Sequence, residues 1–217
     1  MLRWIPALTL MLFLVPVLVG LVGTILPSLG FMPALGSTNF AMDAWRELAA
    51  WPGIEISVSL SLATGVIATV ISLGVVIGCC STCHSTHLFS LLRRSISPLL
   101  SVPHVSVAIG FAYLIAPSGW LVRAISPWAT GWQLPPDLAT SPDPYGLSYI
   151  AALVLKEVPF LLLMTFAALG QTRANETLAV SRSLGYGPAT SWLKTVLPLV
   201  YPQIRLPVLA VLAFSTS

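Results

Sequence analysis

Five stretches of this chain carry almost no charge, and they decide most of what it can fold into. Ile5 to Leu26 is 22 residues without a charged side chain, enough helix to cross about 30 Å of hydrocarbon. Ile56 to Cys80 is a second such run. Ser95 to Val122 is a third, broken by Pro98, Pro103 and Pro117, and Tyr145 to Leu169 is a fourth, interrupted by Lys156 and Glu157. The fifth, Leu206 to Ser217, has 12 residues, which as a helix reach about 18 Å and do not cross alone. Composition closes the alternatives. Only 8% of the 217 residues are charged and 56% are apolar, whereas a soluble domain needs a charged surface and a disordered chain needs low hydrophobicity. Three cysteines are too few, and odd in number, for a disulfide scaffold. A net charge of +3 with no basic cluster gives no case for a nucleic-acid partner. The expected fold is all-α, a polytopic transmembrane helical bundle whose surroundings are membrane lipid.

The first run follows Arg3, yet it is too long for the apolar core of a signal peptide and ends in Leu26-Pro27 instead of a small-residue cleavage site. It reads as a retained helix. The basic residues then orient the chain. With the N-terminus in the cytoplasm and four alternating helices, the inside segments hold Arg3, Arg93, Arg94, Arg173, Arg182 and Lys194, and the outside segments hold Arg46 and Arg123. That asymmetry favours a multi-pass plasma-membrane protein with its N-terminus inside. On the outside, Phe40 to Trp51 is amphipathic, with Asn39 placed to cap a short helix. Residues 117–144, with six prolines and Trp120, Trp128 and Trp132, read as an irregular loop at the interface.

The inside segment 173–198 is longer than a hairpin needs. Propensity makes it two short helices broken at Gly185 to Pro188, because Gly185 and Gly187 tolerate a positive φ and Pro188 suits a first helical turn. Leu197-Pro198 is expected to end the second helix before the last run. A helix–turn–helix on the cytoplasmic face serves as an interfacial hairpin or as a knob for a soluble partner.

This segment resembles the cytoplasmic signature loop of the permeases of binding-protein-dependent, type I ABC importers. The family pattern is Glu-Ala-Ala, three residues, Gly, nine residues, Ile-x-Leu-Pro. Gly185 and Leu197-Pro198 stand at the matching spacing, with Leu184 before the glycine and Pro188 and Trp192 after it. Ala179, Val180 and Ser181 replace Glu-Ala-Ala, and Thr195 replaces Ile. Leu99 to Ala116 resembles the family's proline-broken segment, Phe40 to Gly53 its external amphipathic helix, and the run from Leu155 to Leu163 a subgroup described as thiamine-transport permeases. The resemblance implies one transmembrane domain over residues 1–217, incomplete at its C-terminus, in the cell inner membrane. It implies three protein partners: a cytoplasmic ABC ATPase docked on the 173–198 loop, a periplasmic solute-binding protein and a second permease subunit or half. The implied docking residues are Leu178, Ala179, Arg182, Leu184, Gly185, Tyr186, Trp192, Leu197 and Pro198. No phosphate-binding Gly-x-x-x-x-Gly-Lys-Ser/Thr occurs, so the chain reads as a transport subunit, not an enzyme, with no cofactor. A chain ending inside the fifth run is expected to be poorly stable alone, which keeps open a non-functional permease fragment.

Two other constellations compete. Cys80-Ser-Thr-Cys83-His84 matches a c-type haem attachment sequence, and Cys79, Cys80, Cys83, His84 and His87 have metal-ligand spacing. Either would make a membrane redox or metal protein. Lys156 and Glu157, in the middle of the fourth run, are costly in hydrocarbon and face a cavity or a partner. Adjacent helical positions point about 100° apart, so the two are not expected to face one partner; an ion pair or hydrogen bond to another helix, or to the second permease subunit, is preferred over contact of Glu157 with a cationic substrate. With His104, which follows Pro103, they are the candidates for a translocation path.

Overall fold

A computed structural model describes residues 4–84, 86–141 and 143–217; Arg3, used above to orient the chain, lies outside the described residues. The described elements are helical apart from one isolated bridge, Met32 with Ser37. Among the described residues, five helical segments are long and apolar enough to cross a membrane: Ile5–Ser28, Ile54–Cys83, His104–Ile125, Leu147–Gly170 and Pro188–Ser215. The chain divides into two compact units at Val58 and Ser59.

In the first unit, α1 (Ile5–Ser28) runs without a charged residue and carries Pro16 inside it. The chain then turns back on itself. Phe31 and Phe40 stack at 5.3 Å, Ser37 Oγ donates to the Gly30 carbonyl at 2.6 Å, and the Ala41 amide donates to Leu29 at 2.8 Å. The amphipathic helix, α2 (Asp43–Ala49), starts later than the sequence implied. Met42 is its N-cap and Asn39 does not cap it; the acidic Asp43 in the first turn instead favours the helix N-terminus.

The second unit is organised around α7 (Leu147–Gly170), which packs against α4 (His87–Ser101), α5 (His104–Ile115) and α10 (Leu197–Ser215), while the short α6 (Trp120–Ile125) packs on α5. The core joins Val76 and Cys80 of α3 (Ile54–Cys83) to Leu161, Leu162 and Phe166 of α7 and to Val196, Val200 and Ile204 at the start of the last span. Small residues bring α3 and α10 together. A Cβ on Gly65 would lie 2.7 Å from the Ser215 carbonyl oxygen, and Ser61 Oγ donates to the Thr216 carbonyl at 3.0 Å. Such backbone approach is how helices associate in lipid, where apolar burial gives no preference for protein over solvent.

Two segments differ from the sequence reading. The third run does not begin at Ser95: residues 95–101 complete α4, a separate helix with a polar and an apolar face, and the span starts at His104. The reason is Pro103, which forces Val102 into an extended conformation and ends α4. The last span does not begin at Leu206 with 12 residues. Helix is continuous from Pro188 through Ser215, 28 residues, passing through one wide π-turn, Trp192–Val196. Leu197-Pro198 therefore does not end the helix. The proline ring excludes the regular ladder at Lys194, and the wider turn just before it takes up the mismatch.

Candidate functional site

The break between α4 and α5 exposes backbone in an apolar setting. Proline has no N–H, so the Leu99 carbonyl, four residues before Pro103, has no helical donor, and Val102, extended, leaves its own carbonyl outside both helical ladders. Unbonded carbonyls in hydrocarbon cost several kcal/mol each. Lys156 of α7 answers both. Its Nζ donates to the Val102 carbonyl and, at 3.5 Å, to Leu99. The ammonium is itself buried, and these carbonyls replace part of the water it has lost.

Glu157, beside it, turns to a different helix. Its Oε1 accepts from Ser215 Oγ of α10, a hydroxyl whose single proton the Val211 carbonyl at 2.9 Å also attracts. Glu157 is 4% exposed, and its Oε2 is buried with no partner among the described residues. The divergence of adjacent helical positions is thus realised: two neighbours tie α7 to two separate elements. Yet both line one open cavity of about 550 Å³, with Pro103, Phe160, Met164 and Phe214 in its walls. His104 opens α5 on the same cavity, its ring centroid 5.0 Å from that of Phe214. The structure therefore brings the three candidate path residues together, a lysine, a glutamate and a histidine around a mostly apolar cavity. Ser215 and the carbonyls of Leu99 and Val102 were missed. The proline marked the carbonyls; nothing in the sequence marked Ser215.

The 173–198 segment folds as a hairpin, α8 (Ala174–Ser183) and α9 (Pro188–Ser191), turned at Gly185 with φ +86°. The turn is tied by the Gly185 amide to Arg182 at 3.0 Å, and Ser191 Oγ donates to the Tyr186 carbonyl at 3.3 Å. Lys194 lies over the Tyr186 ring at 5.1 Å. The hairpin has two faces. Ala179, Arg182, Leu184 (73% exposed), Gly185, Tyr186 and Pro198 are exposed, and Leu197 is half-buried. Leu178 and Trp192 (1% exposed) are core residues, in one cluster with Cys80 of α3 and Phe166 of α7. Both are expected from the sequence as docking contacts, and here their side chains are wedged among three helices instead of exposed at the surface. Val180, exposed and one turn before Leu184 on the same face, was overlooked although the four-residue spacing marks it.

Among the described residues the cysteines and histidines do not assemble as one site, although Cys79 and Cys83 lie within hydrogen-bonding reach of each other. Cys80 is fully buried in the core, so its sulfur is not open to attachment of a haem. His87 is the first residue of α4 and is exposed. His84 packs on Phe89 at 5.0 Å, and its pKa is lowered by burial first and by the Arg182 charge second. Among the described residues no three of these side chains are placed to share a metal ion.

The chain is similar to the inner membrane ABC transporter permease protein YnjC of Escherichia coli (strain K12), with 28% identity over 187 residues. The match covers 85% of this chain and 33% of that protein, so the chain spans about a third of the length of the relative it matches. No protein-family model and no solved structure matches it.

Proposed function

We propose that this chain is the membrane-spanning permease part of an ATP-driven importer. It would take solute from a periplasmic binding protein and couple to a separate cytoplasmic ATPase through residues 173–198. The observation that carries this reading is the two-faced hairpin: an exposed tip of Val180, Arg182, Leu184 and Tyr186 on a root of Leu178 and Trp192 sunk among α3, α7 and the last span. A rigid wedge of this kind passes a push at its tip into the helices as a rigid-body rotation. The similarity to an ABC permease supports the same reading. The solute path runs by the cavity of His104, Lys156 and Glu157, a second permease subunit or half completes it, and the chain lies in the inner membrane with its N-terminus inside. Among solutes, the run from Leu155 to Leu163 favours the thiamine type.

The test places single cysteines at Leu184 and Tyr186, in a background where Cys79, Cys80 and Cys83 are alanine, and crosslinks them to the co-expressed ATPase. Both positions are expected to crosslink, and a cysteine at Val70, on the span, is not. Absence of any crosslink from the tip, with the ATPase bound elsewhere, overturns the coupling role. Reporters fused after Gly170 and after Pro135 should behave as cytoplasmic and external, and thiamine should compete for uptake.

A further inference from the structure

The break at Pro103 and the ammonium that meets it carry a step further. We propose that Lys156 is a positioning residue: its ammonium stands in for the backbone N–H that Pro103 lacks and holds the α4–α5 break that walls the cavity. The geometry is specific. In an unbroken helix the N–H of residue 103 would meet the Leu99 carbonyl, and that carbonyl is one of the two that Lys156 Nζ binds. The other, Val102, belongs to the residue that proline pushes into the extended region. Lys156 sits ten residues into the 24-residue α7, far from either end, so it does not reach water by extending along the helix. An apolar side chain there would leave the Leu99 and Val102 carbonyls without this donor.

Pro103, Val102 and Leu100 line the same cavity as Glu157 and Phe214. Whatever fixes the break fixes that wall, and Lys156 acts on the cavity through the break. The transport consequence rests on the proposed permease role; the clasp itself rests on the contacts alone and is tested without transport.

The experiment is a double-mutant cycle on the full chain in detergent micelles, with Lys156→Met made both in the wild-type background and in the Pro103→Ala background. The readouts are unfolding stability and the distance between spin labels placed at Arg94 on α4 and Tyr113 on α5. With Pro103 present, Lys156→Met is expected to lower the folding equilibrium by about tenfold or more, the worth of a charge-assisted hydrogen bond, and to broaden the label distance. In the Pro103→Ala background, where position 103 regains an N–H that can reach Leu99, the same substitution is expected to cost much less and the distance to narrow again. Lys156→Arg, which keeps the donors, should stay near the wild type. If Lys156→Met does not accumulate in membranes, Pro103→Ala must restore it. An equal loss in both backgrounds, or no rescue by Pro103→Ala, overturns the clasp. Loss of hairpin crosslinking with the clasp intact would instead remove the transport reading and leave this one standing.

Discussion

The chain breaks its helices at Pro103 and at Gly185, and the two breaks are completed in opposite ways. At Gly185 the turn projects at the exposed tip of the hairpin, where water can complete the backbone groups, and its side chains Leu184 and Tyr186 are exposed. At Pro103 the turn lies against the interior of a span, and a charged side chain from another helix, Lys156, completes it. The solvent around a break decides what a break requires. In water, a glycine with φ +86° suffices. In an apolar setting the freed carbonyls need protein donors, and the sequence carries a lysine that would otherwise be hard to account for.

The comparison makes the tip of the hairpin soft and its root hard, and the root gives the largest expected effect. Trp192→Ala should cost about 3–5 kcal/mol, the range for removing a large aromatic side chain from a packed core. Trp192 is among the largest fully buried side chains of the chain and shares its cluster with α3 and α7. Thermal unfolding in micelles measures it, and Trp192→Phe should recover much of the loss. An alanine variant as stable as the wild type would mean that the hairpin is not wedged into the bundle.

The tip should be affected less and for a different reason. A Cβ on Gly185 meets open space, so Gly185→Ala introduces no clash. Its cost is the left-handed backbone alone, about 1–2 kcal/mol for an ordinary residue. Because the strain is local, the spin-label distance across α4 and α5 should stay unchanged while the hairpin loses helix order, read by proteolysis at Arg182. A change in both would show that the two breaks are mechanically one.

The spans were legible because hydrocarbon admits so few solutions: apolar runs of the right length become helices. The first, second and fourth runs lie within a few residues of where the sequence put them, and the third and fifth start elsewhere. The failures are at prolines. Pro98 sits inside α4, Pro103 ends it, and Pro198 ends nothing, since the π-turn at Trp192–Val196 carries the helix past it. Proline marks a constraint, and whether the chain breaks there depends on the turn before it, a property of packing. The same limit applies to the site. Lys156 and Glu157 announced themselves by their cost in lipid, but their partners are two backbone carbonyls and one serine near the far end of the chain, none distinctive in sequence. Trp192 and Leu178 were visible as apolar residues of an amphipathic hairpin. Sequence alone did not say whether that face meets the bundle or a partner.

A third turn, at the Gly146 end of α7, sharpens the comparison from the watery side, and its effect is the smallest. Gly146 is left-handed at φ +67°, and the first amides of α7 are met by Asp143, which accepts from Leu147 N at 2.6 Å and Ser148 N at 3.0 Å and from Ser148 Oγ. These bonds, the Ser148 hydroxyl foremost, hold the Asp143 carboxyl below its ordinary value. A carboxylate lowered in the folded state contributes stability that is whole above the unfolded pKa of about 3.9. That contribution fades as pH falls through the folded value. Asp143 sits at an open turn, so solvent screens the effect and it should be slight. Asp143→Asn keeps an acceptor and removes the titration. The unfolding midpoint of the wild type should therefore exceed that of Asp143→Asn by a small margin at pH 6, and the margin should close as pH falls below about 4. A margin that stays constant with pH would mean that the amides of α7 are held without the charge. This turn would then belong with Gly185, needing only water, and not with Pro103, needing a side chain from another helix.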